Sequence, residues 1–173
     1  MDILGRILIA LIAAASIAGP VFGDEISASA DHIVTDDNPT LPYVDRQTPV
    51  FTTRVSGDII SWSMVVRQDR TGGASEGTIT VDVKSKLPFA RTLVAATLKN
   101  GAKLDIDRVK TVSESCQPSD DCQVTQHLVA GITGEQLLSA KGGPLVVTVA
   151  SEAPFEIEFP AWVTRTLAQA IAP

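Results

Sequence analysis

The chain has 173 residues, with 14 basic and 20 acidic side chains and a formal net charge of −6. An acidic balance without a run of Lys or Arg argues against nucleic acid and against anionic membrane surfaces as partners. Apolar residues make up 45% of the chain, which supports a packed core and argues against disorder.

The first segment reads as a cleavable signal peptide over residues 1–23. Arg6 and the free amine stand against Asp2, an apolar run interrupted only by Ser16 follows, and Gly19-Pro20 breaks any helix. Val21-Phe22-Gly23 then supplies a peptidase site, predicting cleavage between Gly23 and Asp24. The apolar run of roughly 12 residues is short of the about 20 that span a bilayer. No stable membrane span is therefore expected after cleavage. With no Cys at the site and no twin-Arg pair, the expected destination is the periplasm or the exterior. The mature chain is one domain's length, enough to bury roughly 68–70% of its unfolded surface.

Residues 24–49 are punctuated by Pro39, Pro42 and Pro49, which discourage both helix and central strand. They predict an extended or mobile lead-in, with a single β-rich domain over residues 50–173. Strands are expected at 51–55 and at 59–66, the latter with Ile60, Trp62, Met64 and Val66 on one side. After a Gly-rich charged loop, residues 78–84 alternate Ile79, Val81 and Val83 with Thr80, Asp82 and Lys84. Residues 93–98 and 103–112 flank Asn100-Gly101, a strong hairpin signal, and Val109 breaks the alternation, so a bulge is expected near Asp107-Arg108.

Cys116 and Cys122 lie close in sequence around Pro118 and a Ser-Asp-Asp run. In an exported chain they predict a disulfide, worth roughly 2–2.5 kcal/mol by chain entropy. Another strand is expected at 124–130. Thr133-Gly134-Glu135-Gln136 fits a capping box opening a short helix to Ala140, stopped by Gly142-Gly143-Pro144. Residues 145–149 and 155–159 form a second hairpin. Pro160 then suits the first turn of a helix with Val163, Leu167, Ala170 and Ile171 as its apolar stripe. The fold class is mainly β: an antiparallel β-sandwich-like domain with one short helix and a C-terminal helix packed on it.

Candidate chemistry is sparse. Gly73-Ala74-Ser75-Glu76-Gly77 matches the Gly-x-Ser-x-Gly of nucleophile elbows, but that device needs a strand before the Ser and a helix after it. Here a polar loop precedes and a strand follows, so a plain loop is expected. Asp105 and Asp107 fall on one side of a strand, a pattern that also describes an ordinary wet face. His32 and His127 have no evident partners. Trp62 and Trp162 are the candidate ligand-pocket residues, against the plainer reading that both fill the core. No phosphate loop, dinucleotide fingerprint or zinc pattern is present, so no catalytic residue, cofactor or metal is assigned.

The second half carries a wider pattern. Leu87-Pro88, the Gly-turned stretch from Asn100 to Asp107, the Cys116/Cys122 pair, Glu135-Gln136-Leu137-Leu138, and a strand pair leading into a terminal helix follow in that order. The arrangement resembles the invasion-associated locus B proteins, exported proteins of α-proteobacteria, over about half of the mature chain. The resemblance implies a periplasmic or secreted β-rich protein, linked in some members to host-cell entry, and it transfers no catalytic residue. The expectation is a non-enzymatic exported domain acting through contacts with an envelope or host protein. A periplasmic small-ligand binder is the alternative, and a hydrolase using Ser75 or the Asp105/Asp107 pair stands behind both.

Overall fold

The period-two runs of the sequence form antiparallel sheets in the computed structural model, which describes residues 26–28, 31–73, 75–86, 91–113, 122–140 and 143–172. The strands begin with β1 (Ser27–Ala28), β2 (Val34–Asp36), β3 (Tyr43–Gln47), β4 (Phe51–Val55), β5 (Asp58–Asp69) and β6 (Glu76–Lys86). There follow β7 (Ala95–Leu98), β8 (Asp105–Ser113), β9 (Gln123–Thr133), helix α1 (Gly134–Ser139), β10 (Leu145–Ala150), β11 (Phe155–Phe159) and helix α2 (Ala161–Ile171). The larger sheet runs β1-β4-β5-β6-β9-β8, with β3 also paired to β5 and β2 to β3. The smaller sheet runs β11-β10-β7. The mainly β, sandwich-like class expected from the sequence is the one found.

Between the sheets lies one apolar cluster. Ile60, Trp62, Met64 and Val66 of β5, Ile79, Val81 and Val83 of β6, and Leu128, Ala130 and Ile132 of β9 line it from the larger sheet. Val147, Val149, Phe155, Ile157 and Phe159 line it from the smaller one. Phe51 stacks on Trp62 at 5.9 Å between centroids and meets Phe159 edge-on at 5.9 Å. The Trp62 indole Nε1 donates to the Glu158 carbonyl at 3.1 Å, so the largest core side chain also ties one sheet to the other.

Three expectations need correction. The boundary at residue 50 divides what the sheet joins, because β3 pairs with the second half of β5 from Val65 to Asp69. Thr48 continues the bonding, donating its backbone N–H to the Met64 carbonyl and accepting the Met64 N–H on its Oγ1, each at 2.9 Å. The prolines do not forbid this, since Pro42 and Pro49 stand outside the ends of β3.

The Asn100-Gly101 turn forms, with Gly101 at φ 85° and Leu98 N–H bonded to Ala102 O. The expected hairpin continues only briefly, through a Thr97–Lys103 bridge and the Leu104 N–H on Ala96 O at 3.0 Å, before the strands part: β7 pairs with β10 and β8 with β9. The turn is thus a crossing point between sheets, with Leu104 buried just past it.

In α2, Pro160 is the N-cap and not a first-turn residue. The buried face includes Thr164 and Ala168 in addition to Val163, Leu167 and Ile171, while Ala170 is only half-buried. Thr164 is accommodated because its hydroxyl donates to Gly143 O at 2.6 Å. Helix α1 carries the expected capping box, Thr133 Oγ1 accepting from Gln136 N–H and Gln136 Oε1 from Thr133 N–H. No described helix is long and apolar enough to cross a membrane. The leader, the Gly23/Asp24 cleavage site, Leu87-Pro88 and Cys116 lie outside the described residues.

Candidate functional site

Alternation sends every second side chain of β4, β5, β6, β9 and β8 to the outer face of the larger sheet. Register then decides which of them meet. Thr52 lies opposite Ser61, Ser61 opposite Asp82, Asp82 opposite His127, and His127 opposite Lys110. Directly opposed residues bring their Cβ atoms to about 4.5–5.5 Å. Within this row Thr52 Oγ1 and Ser61 Oγ are 3.1 Å apart, and His127 Nδ1 lies 2.6 Å from Asp82 Oδ1. Arg108, Val112 and Thr125 complete the lining of a shallow concavity of about 380 Å³ around that pair.

An Asp–His pair is two-thirds of a hydrolytic triad, so its neighbours decide its chemistry. In a triad the nucleophile meets the imidazole and the carboxylate stands behind it. Here Ser61 is on the far side of Asp82, and the residue facing His127 from its other side is Lys110. The order is reversed and no described hydroxyl bonds to the imidazole. The pair is not arranged to activate a serine.

The residues singled out from the sequence do not assemble. Ser75 lies at the opposite end of β6, where its carbonyl accepts the Gly134 N–H at 2.9 Å. It lines a separate hollow of about 490 Å³ with Gln68, Glu76, Thr133 and Leu138 and no histidine. Six strand positions separate Glu76 from Asp82, roughly 20 Å at 3.3 Å per residue, so His127 is out of reach of Ser75. Gly77 of the same motif has a packing cause: a Cβ there would stand 2.6 Å from Ile132 Cγ2.

Asp105 faces Gly131, whereas Asp107 falls in the register shift between Ile106 and Arg108 and opposes no residue of β9. Among the described residues His32 bonds only to the adjacent Asp31, at 3.1 Å and in the open. Among the described residues no group of three His, Cys, Asp or Glu could hold a metal.

The two tryptophans also separate. Trp62 is 1% exposed and fills the core. Trp162 is 37% exposed and lines a groove of about 700 Å³ with Ile26, Ala28, Asp31, Phe51 and Pro160. Of the two candidate ligand-pocket residues, Trp62 is a core residue and Trp162 a groove residue.

At the far end of the outer face, charge is matched. Arg67 forks onto Asp45 at 2.9 and 2.8 Å and lies over the Tyr43 ring at 3.7 Å. The hydrogen bond from Arg67 holds the Asp45 carboxyl below the usual aspartate range, and the same bond raises the guanidinium. The Asp82–His127 pair was invisible in the sequence. Alternation marks both residues as outward, but only the β6–β9 register, across 45 positions of chain, makes them neighbours. No family model, no curated protein and no solved structure matches this chain.

Proposed function

We propose that the protein is an exported, non-catalytic recognition domain that works through contacts with a protein of the cell envelope or a host surface. The observation that carries this reading is the outer face of the larger sheet. It carries Ser, Thr and charged side chains, with Ile59, Val65 and Val129 among them, on β5, β6 and β9, many of them half-buried, with the apolar smaller sheet and α2 gathered on the other side. An antiparallel sheet with one wet face suits protein recognition, and the reversed order around His127 gives no route to acyl transfer.

Export is supported by the leader-like residues 1–23 with cleavage at Gly23/Asp24. The resemblance to invasion-associated locus B proteins points the same way. A Cys116–Cys122 disulfide belongs to this proposal; it suits the compartment, and no free cysteine is present among the described residues.

A photocrosslinking residue placed at Ser63 or Thr80 of the exported chain tests the contact reading. A specific adduct that is absent with the crosslinker at Lys99 is expected. Adducts indistinguishable between these positions would overturn it.

The groove at Trp162 favours a second reading, a small-ligand binder, because it joins a half-exposed indole to Phe51 and Ile26. In a Trp62→Phe protein, whose emission comes from Trp162 alone, saturable quenching by anilinonaphthalene sulfonate would support the binder. Unchanged emission would remove it.

A further inference from the structure

Strand β8 enters its pairing with Asp105 opposite Gly131 and Ile106 opposite Ala130. Unbroken alternation from Asp105 would send Asp107 and Val109 to the outer face, placing an acid and a valine beside the Asp82–His127 pair. The register shift between Ile106 and Arg108 absorbs one residue, so Arg108 instead opposes Val129 and Lys110 opposes His127. Bulges re-aim side chains in this way, and this one replaces an acid and an apolar residue with two cations.

Around the concavity, two permanent cations and an imidazole surround one carboxylate, and that carboxylate is already engaged by His127 Nδ1 at 2.6 Å. Three other arginines have found acids, Arg67 pairing with Asp45, Arg70 with Asp37 and Arg91 with Asp58, while Arg46 bonds Gln68. Among the described residues, neither the Arg108 nor the Lys110 side chain has a hydrogen-bond or ion-pair partner. Cations held side by side on a sheet repel one another unless an anion joins them.

We infer that Arg108, Lys110 and His127 form an oxyanion-binding site for a phosphate-type group, with Asp82 as the positioning residue that holds the imidazole. The Arg108 fork and the Lys110 point charge supply charge-assisted donors, and Thr125 adds a hydroxyl to the lining. Asp82 occupies Nδ1 and leaves Nε2 as the ring nitrogen available to a ligand, a donor when the imidazole is protonated. The charged groups facing His127 are Asp82 and Lys84 from β6 and Lys110 and Arg108 from β8.

The site deepens the recognition reading by naming an anionic group on the ligand, and it rests on that reading for its accessibility. Its phosphate could be free or part of a lipid headgroup. Titration of the mature chain with inorganic phosphate, followed by NMR, should give saturable shifts at His127, Lys110 and Thr125. Arg108→Gln and Lys110→Gln should each weaken binding about fivefold, Lys99→Gln should not, and thermal melts of each variant verify folding. His127→Gln should also weaken binding, through loss of the ring nitrogen that Asp82 leaves to the ligand.

Sedimentation with phosphatidylglycerol vesicles, competed by phosphate and lost in the same two variants, would assign the lipid source. Phosphate binding without vesicle binding would assign the free one. Non-saturable shifts, or affinity unchanged in both cation variants, would overturn the site as ionic screening only. Crosslinks at Ser63 that persist in that case would leave the recognition reading standing, so the two failures are separable.

Discussion

Arg91 shows how one residue holds several segments. It is 8% exposed, pairs with Asp58 at the start of β5, donates to the Ala153 carbonyl between β10 and β11, and lies 5.7 Å over the Phe155 ring. Removing one partner of a buried pair strands the other charge, at a cost of about 3–5 kcal/mol. Arg91→Ala should therefore lower the urea midpoint severely. Asp58→Leu combined with Arg91→Met should recover much of the loss, as apolar replacements of buried pairs often do. A double variant no more stable than Arg91→Ala would contradict this account.

Exposed acids act on another axis. Asp45 is held below the usual range by the Arg67 hydrogen bond, Glu152 by the Thr92 backbone N–H, and Asp69 by the Thr71 hydroxyl. A lowered folded-state value means the unfolded chain takes the proton first, so stability is full above the carboxylate range and falls as pH drops through the folded value. Thermal midpoints should stay level from neutrality to about pH 5 and decline below about pH 4. Arg67→Gln should flatten that acid slope.

Among the connections between successive strands, the β4–β5 turn is the shortest. Val55 pairs with Asp58, leaving Ser56 and Gly57 as a two-residue loop with φ of 54° and 91°. Both values are those of a type I′ turn, where Gly57 is at ease and a serine is not. Ser56→Asn should stabilise by about 0.5–1 kcal/mol, read as a higher urea midpoint with unchanged slope.

Helix α1 depends on its box: Thr133→Ala should cost about 1 kcal/mol, and Gln136→Ala less, because only the reciprocal bond is lost. Both elements are local, and the α1 box was legible from the order of Thr133 and Gln136 alone. The path taken by β7 and β8 was not. The Asn-Gly rule predicts a turn, but the partner each strand then takes depends on which sheet offers an unpaired edge.

At the scale of the whole molecule the two tryptophans report on different places. Trp62 is enclosed and hydrogen-bonded to Glu158, whereas Trp162 sits at an open groove. Emission from a Trp162→Phe protein should be blue-shifted and resist iodide, and emission from Trp62→Phe should be red-shifted and quench readily. Trp62→Ala should cost about 3–5 kcal/mol and lower the unfolding midpoint accordingly. Intact mass of the exported protein should begin at Asp24 and show no titratable thiol; a chain beginning at Met1, or two reactive thiols, would refute export processing or the Cys116–Cys122 bridge.

Local pattern determined much of this protein. Alternation in β5, β6, β9 and β11 marks the core face, because one side of each strand must be dry. The β8 bulge was legible where Val109 broke phase, and the capping box where Thr133 precedes Gln136. Those are short-range consequences of backbone geometry and solvent.

Only the tertiary structure decided what long-range register decides. It drew β3 out of the proline-rich stretch into the sheet. It parted Trp62 from Trp162 and buried Arg91 against Asp58. It also placed His127 between Asp82 and Lys110, gathering cations that are scattered along the chain. Strand pairing joins residues tens of positions apart, and no local pattern records which edge a strand will find.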